Sequence, residues 1–282
     1  MLNAIISRIS KILKSQKNIK PTYGYRGRYS SWEEAERNSI GYGAPSIAKK
    51  IAKAVSAVIA NEVAYERDSI TFLEPEYSWP VATALLWAAS NKKTKLEVVD
   101  FGGGLGTSFF QNKPLLAFVD RLDWHIVEQS SFVQEGRKLF QNGLLSFYTN
   151  IEECLSAVKP DIAILSSSIQ YIQKPYEVLE KIRGASVDIV VFDRTLFSNQ
   201  ADDVITIQHV SPEIFDAAIP VWILNEKRFL EFMQDKYRIF ARFGAYKNTA
   251  YLDTEGFDFD ELGFIMILKG SPYEQALSCL NK

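Results

Sequence analysis

Cysteine and histidine are nearly missing from this chain of 282 residues, which has 2 of each. Cys154 and Cys279 form no close-spaced motif, which argues against a disulfide framework and a zinc-binding pattern and points to a reduced, cytoplasmic compartment. An excess of either charge is also missing. With 32 Lys and Arg against 34 Asp and Glu, the net charge of −2 argues against wholesale nucleic-acid binding, which needs a basic face to neutralise phosphates. No apolar run approaches the ~18 residues of a membrane span, and the best, Pro80 to Ala89, reads as a core helix. Internal repeats and low-complexity tracts are not visible. What is present is a chain that is 47% hydrophobic and of a length for one large domain, or one domain with an added cap.

The near-neutral total hides an uneven distribution. Met1 to Lys20 carries Arg8, Lys11, Lys14, Lys17 and Lys20 with no acid, so this segment is +5 and the remainder is −2 − 5 = −7. Leu2, Ile5, Ile6, Ile9, Ile12 and Leu13 recur at helical spacing, so residues 1–20 read as a basic amphipathic helix. No uninterrupted apolar stretch or cleavage pattern follows the charges, which argues against a secretory signal. Reversible contact with anionic lipid at the inner membrane face, contact with a protein partner, or a self-docked terminal helix all remain open.

Residues 21–95 are expected to form a helical cap, with helices over Trp32 to Arg37, Ala44 to Asn61 and Ser78 to Ser90 and a break at Gly41-Tyr42-Gly43. From residue 96 to 282 the period changes. Leu96 to Phe101, Trp124 to Glu128, Leu145 to Tyr148, Asp161 to Ser166 and Val187 to Asp193 read as strands separated by helical lengths, the pattern of an α/β domain with a parallel sheet. Residues 194–225 show no clean period and are expected to form a lid insertion. A helix over Glu226 to Asp235 precedes two closing strands, Tyr237 to Ala245 and Gly263 to Lys269, expected to pair antiparallel at the sheet edge.

The most informative stretch is Val98 to Ser108, VVDFGGGLGTS, where a strand runs straight into Gly102, Gly103, Gly104 and Gly106. Glycine lets the backbone turn sharply and approach a ligand closely. The dinucleotide pattern G-x-G-x-x-G counted from Gly102 fails, because its last position is Thr107. Counted from Asp100, D-x-G-x-G-x-G is complete, the register associated with S-adenosylmethionine loops. Glu128, at the end of the next strand and 128 − 106 = 22 residues beyond the last loop glycine, stands where an acid accepts hydrogen bonds from ribose hydroxyls. A tight turn with a helix-capping acid is the structural alternative.

Several runs are also familiar together: YERDS and EPEYSWP (Tyr65 to Pro80), VVDFGGGLGTSFFQN, WHIVEQ, SSSIQYIQKPYEVL and FDRT. They resemble a family of bacterial class I S-adenosylmethionine-dependent methyltransferases associated with surface-polysaccharide gene clusters, over roughly Tyr29 to Lys269. The resemblance implies a Rossmann-like, mostly parallel seven-stranded sheet with an antiparallel edge hairpin and an N-terminal helical cap. It implies S-adenosyl-L-methionine as cofactor and a small-molecule or glycan acceptor. By position, Asp100, Gly102, Gly104 and Gly106 would line the methionine and ribose end, Glu128 and Gln129 the ribose, and Thr149 and Asn150 the adenine. Many methyltransferases have Asp where Asn150 stands. Ser166 and Ser167 at the fourth strand end would face the cofactor, and Gln170 and Tyr171 the acceptor.

Transfer to a sugar hydroxyl needs a base. His125 lies inside a strand and reads as a packing residue, whereas His209 lies in the expected lid and is a candidate base. Asp193 at the fifth strand end is the other, with Arg194 beside it to orient the acceptor or simply to pair with it. Arg67, Tyr77 and Trp79 are the cap's candidate acceptor contacts. Asp258-Phe259-Asp260-Glu261 resembles an acidic metal pair but reads better as a solvated turn, so no metal site is expected. A nucleotide-sugar-modifying transferase or oxidoreductase, and a non-catalytic assembly protein on the same fold, remain the alternatives.

Overall fold

The computed structural model describes residues 23–40, 45–92, 94–214, 216–245 and 258–280. The basic segment 1–20 and the glycine break at 41–43 lie outside them. The framework is a mostly parallel sheet. Its strands are β4 (Leu96–Phe101), β5 (Leu122–Val127), β6 (Leu145–Tyr148), β7 (Ile162–Ser166), β8 (Ile189–Ser198), β11 (Tyr237–Gly244) and β12 (Phe259–Leu268), in the spatial order β6-β5-β4-β7-β8-β12-β11. The β4, β5, β6, β7 and β8 neighbours pair in parallel, while β12 runs antiparallel to both β8 and β11. The expected mostly parallel seven-stranded sheet with an antiparallel edge hairpin is therefore present.

Central strands are apolar on both faces because helices cover both. Every residue of β5 is buried. On one face Val98, Trp124, Ile126, Ile162 and Ile189 pack beneath α2 (Pro45–Ile59), α3 (Trp79–Asn91) and α5 (Ser130–Leu139), with α9 (Pro272–Leu280) joining through Tyr273. In α2 the buried Ile47, Ile51 and Val55 follow the helical period, with Ala48 and Ala52 letting the helix sit close. On the other face Val99, Ala163, Leu165 and Phe192 pack beneath α6 (Ile151–Ala157), α7 (Pro175–Ala185) and α8 (Glu226–Gln234).

The segment 194–225, which shows no clean period in the sequence, is largely strand. β8 continues to Ser198, and β9 (Val204–His209) and β10 (Ala218–Asn225) form an antiparallel pair. β10 joins the end of β8 in parallel, and β1 (Gly24–Tyr29) covers the free edge of β9. The region 21–95 also departs from an all-helical reading. Besides α1 (Trp32–Arg37), α2 and α3 it contains β1 and a hairpin of β2 (Tyr65–Arg67) and β3 (Ile70–Phe72). Among the described residues no helix is long and apolar enough to cross a membrane.

Candidate functional site

The chain leaves β4 toward β5 and β6, then returns to β7 on the other side, so the switch point of the sheet lies between β4 and β7. Crevices at the carboxyl ends of strands beside such a point are where open α/β sheets bind ligands. Here the glycine loop occupies it. Gly102 N–H donates to Val127 O at 2.9 Å, and residues 102–106 then bend into α4 (Thr107–Asn112) with positive φ at Gly102, Gly104 and Gly106. Gly104, at φ 59°, faces open space: a Cβ there would meet no atom within 4 Å. Gly103 is the opposite case, since its Cβ would fall 2.5 Å from Asp100 Cγ.

Asp100 is thus a foundation of the loop. It is 1% exposed, Trp124 Nε1 donates to its Oδ2 at 3.1 Å, and burial pushes its carboxyl up to about 7. Glu128, one residue past β5, is half-buried and accepts from Gln129 N–H at 2.7 Å. Desolvation raises its pKa, against hydrogen bonds from the Gln129 and Gly104 backbones. Gly104 and Glu128 therefore border one crevice at adjacent strand ends.

The second wall comes from β7 and β8. Ser166 Oγ donates to Asp193 Oδ2 at 2.8 Å, Arg194 Nη2 donates to Ser166 Oγ at 3.2 Å, and Ser167 N–H donates to Asp193 O at 2.8 Å. A β-bulge creates this arrangement. Thr195 pairs with Leu262 and Phe192 with Phe264, so Asp193 and Arg194 together oppose the single residue Gly263. Arg194 takes φ 50° in that bulge, and its carbonyl accepts from Gln170 Nε2 at 2.9 Å. Ser168 Oγ, Gln170 Oε1 and Thr195 Oγ1 nearby are buried without a hydrogen-bond partner, polar capacity of the kind that ligand sites retain.

The β2–β3 hairpin closes a third side. Glu66, 2% exposed, accepts from Thr107 Oγ1 and, at 3.1 Å, from Ser69 N–H, and burial lifts it to about 7. Its turn residues Asp68 and Ser69 both have positive φ, the two-residue geometry that suits a hairpin's twist. Arg67 lies 3.7 Å from Glu76 and over the Phe72 ring at 5.4 Å, and Tyr65 OH donates to Glu76 at 2.9 Å. Tyr77 and Trp79 sit together with ring centroids 5.2 Å apart, Trp79 being 64% exposed.

One acid was hidden in the sequence. Glu261 belongs to β12 rather than to a solvated turn; burial raises its carboxyl to about 7, with Arg194 and Arg67 opposing and Asp193 reinforcing. Nothing local separates it from Asp258 and Asp260; the signal lies in its pairing opposite Leu196 of β8. Gln208 is another unforeseen neighbour, accepting from Tyr171 OH at 2.7 Å. The Tyr171 hydroxyl is held well above its usual pKa, chiefly by burial.

His209 is not brought to this cluster. Alternation along β9 turns it away from Gln208 to the face of Ile205 and Ile207, which packs against Trp32 and Ala35 of α1. Burial and then Arg26 lower its pKa. Asn150 Oδ1 caps α6 by accepting Glu153 N–H at 2.7 Å, and Thr149 Oγ1 bonds Glu153 at 3.2 Å, so both are engaged in starting a helix. His125 is buried in β5 and 2.7 Å from Glu97.

No protein-family model and no curated protein matches the chain. Solved structures similar to it include the N-terminal domain of EvdMO1 in the presence of SAH and D-fucose, at 10% identity and TM-score 0.43, covering 72% of this chain and 88% of that one. Magnesium protoporphyrin IX methyltransferase (ChlM) from Synechocystis PCC 6803 with bound SAM is 15% identical at TM-score 0.41, covering 68% and 79%. The 1,6-didemethyltoxoflavin-N1-methyltransferase of Burkholderia thailandensis with bound S-adenosylhomocysteine is 12% identical at TM-score 0.39, covering 81% and 92%. Likenesses this distant leave the functional argument to the site itself.

Proposed function

We propose that this protein is an S-adenosylmethionine-dependent methyltransferase acting on a hydroxyl of a sugar or glycan intermediate. The observation that carries the reading is the crevice at the switch point, where Gly104 faces open space beside Glu128 at the end of the adjacent strand. Glycine at 104 leaves room for a ligand against the backbone, and a carboxylate at 128 suits the paired hydroxyls of a ribose. Asp100 and Gly103 hold the loop from below, with Ser166 and Ser167 on the facing wall.

The cofactor supplies an electrophilic methyl group on a cationic sulfonium. The chain's part is alignment, exclusion of water and proton removal. Asp193 is the preferred base: it stands at the bulge within β8, level with the end of β7, oriented by Ser166 and by Arg194, whose Nε lies 3.6 Å away. Arg194 and Arg67 offer donors to a methyl acceptor, Gln170 offers its unpartnered Oε1, Tyr171 can accept through the hydroxyl whose proton goes to Gln208, and the half-buried Tyr77 with the exposed Trp79 offers an aromatic face. The glycan class rests on the sequence resemblance and on this polar set of contacts. The proposed setting is the cytoplasm, with residues 1–20 contacting anionic lipid or a partner. Deleting them is expected to abolish co-sedimentation with anionic vesicles or the partner complex.

Calorimetric titration with S-adenosylhomocysteine tests the cofactor assignment. Binding is expected, with Glu128→Ala weaker by at least about tenfold, the loss of one or two hydrogen bonds to a charged group. A folded protein that does not bind, or a Glu128→Ala variant that binds as tightly as the wild type, overturns it.

A further inference from the structure

A second cavity, of about 450 Å³, opens between the start of α7, the end of β1 and the β9–β10 pair. It is separate from the glycine-loop crevice, since none of its lining residues belongs to the loop, to Glu128 or to the Asp193 bulge. Its volume is in the range of small-molecule sites. Three aromatic residues, Tyr29, Tyr176 and Trp222, contribute to its wall and each is half-buried, so ring area is available without being fully consumed by the core.

The charged residues of the wall balance. Arg28, Lys174 and Arg228 face Glu177, Asp202 and Asp203, three of each sign. Several are already paired: Lys174 Nζ lies 2.8 Å from Glu177 Oε1, and Arg228 Nη1 lies 3.1 Å from Asp203 Oδ2. Such a wall has no net attraction for a phosphate or a metal cation, and it is too polar for an apolar ligand. It offers both hydrogen-bond donors and acceptors, several of them held in place by ion pairs.

The fixing is specific. Asp203, whose side chain is 7% exposed, accepts Asn225 N–H at 2.7 Å through one oxygen and holds Arg228 with the other. The Arg228 guanidinium in turn lies 4.9 Å over the Tyr176 ring. Trp222 is oriented by its Nε1 donating to Ile172 O at 3.0 Å. One face of Trp222 stacks on Trp32 at 5.9 Å and one face of Tyr176 takes Arg228, and the half-buried ring surface that remains, next to carboxylate and guanidinium groups for the hydroxyls of a sugar, forms a complementary set for an uncharged polyol.

We infer that this cavity is a saccharide-binding site for neutral sugar units, distinct from the methyl-donor crevice. It would seat a part of a glycan remote from the reacting hydroxyl, or a free oligosaccharide. The site stands whether or not the chain transfers methyl groups.

The test is binding of the full chain to an immobilised panel of neutral and sulfated oligosaccharides, with S-adenosylhomocysteine affinity measured in parallel. The wild type is expected to retain neutral members of the panel. Arg228→Gln and the surface variant Asp202→Leu are each expected to lose about tenfold or more in affinity with unchanged S-adenosylhomocysteine binding; Asp202→Leu should keep the wild-type thermal transition, whereas Arg228→Gln, which takes a partner from the buried Asp203, should unfold cooperatively at a lower temperature. Asp202 is exposed, so its variant tests the site without disturbing the core. Retention of no neutral saccharide, preference for sulfated ones, or undiminished binding by both variants overturns the inference. Loss of S-adenosylhomocysteine binding alone would instead count against the methyltransferase reading.

Discussion

Trp124 Nε1 donates to Asp100 Oδ2 across 3.1 Å, and both residues are buried beneath the glycine loop. Burial is the largest influence on this carboxyl and Glu128 adds to it, and hydrogen bonds from the Trp124 indole and Ser108 with the charge of Arg194 do not offset them, which is why Asp100 is pushed up to about 7 from 3.8. Between those values the folded protein holds a proton that the unfolded chain has released, so the stability this proton contributes is lost as pH rises from about 4 to 7. Glu66 and Glu261, raised to about 7 from 4.5, act with the same sign. The ligand-free protein is therefore expected to melt at a higher temperature at pH 5.5 than at pH 8. Asp100→Asn should flatten that difference, by an amount worth up to a few kcal/mol. Melting curves across this range decide the matter, and a Tm that climbs toward pH 8 contradicts it.

Neighbouring loop glycines are expected to respond differently to alanine, one chiefly in stability and the other chiefly in ligand affinity. At Gly103 the added Cβ meets the Asp100 carboxyl at 2.5–2.9 Å, so Gly103→Ala should lower stability by about 1–3 kcal/mol. At Gly104 there is space but φ is 59°, so Gly104→Ala should cost only about 1 kcal/mol while placing a methyl group in the crevice. Denaturant melts paired with S-adenosylhomocysteine titration separate the two, with ligand affinity the main casualty at position 104.

The glycine loop and the sheet-forming runs were legible because their signals are local: periodicity, a stretch of glycines and the length of a crossover. β4 and β6 fall where the sequence puts them, and β8 runs five residues beyond the expected Asp193. The extension was not legible, because β1, β9 and β10 owe their strand state to each other across distant parts of the chain. Gly24 pairs with His209, and Pro220 interrupts a run that would otherwise read as a strand. Glu261 was lost for the same reason. Its place is set by pairing with β8, and its charged neighbours Arg194, Asp193 and Arg67 come from parts of the chain not adjacent in sequence.

Gly263 is the single residue opposite the β8 bulge, and it has no room for a side chain. A Cβ at this position would run into the Phe243 ring and stand 2.7 Å from Phe192 O. Gly263→Ala should therefore force β12 away from β8 just where Asp193 and Arg194 bulge, and the Ser166–Asp193 bond should loosen. The expected result is a loss of roughly 1–3 kcal/mol in stability, accompanied by faster amide exchange at Ser167, whose N–H donates to Asp193 O. Unchanged exchange there in a destabilised variant would mean that the bulge does not depend on this glycine.

Glu66 joins the β2–β3 hairpin to the first residue after the glycine loop, because one carboxylate oxygen takes the Thr107 hydroxyl and the other takes Ser69 N–H. Removing the hydroxyl in Thr107→Val leaves a buried carboxylate short of a donor. Removing the carboxylate in Glu66→Gln leaves an amide that can still accept, so the second change should be the milder. A double-mutant cycle between them is expected to give a coupling of about 1–2 kcal/mol, well above the few tenths expected of independent sites. The loop should feel the break as well. Hydrogen exchange at Gly102 and Gly106, whose N–H groups donate to Val127 O and Gly103 O, is expected to quicken in Thr107→Val while exchange in the distant β11–β12 pair stays at the wild-type rate. Additive stabilities together with an unaltered loop would show that the hairpin merely rests on the site, and would remove it from the set of elements that hold the glycine loop in position.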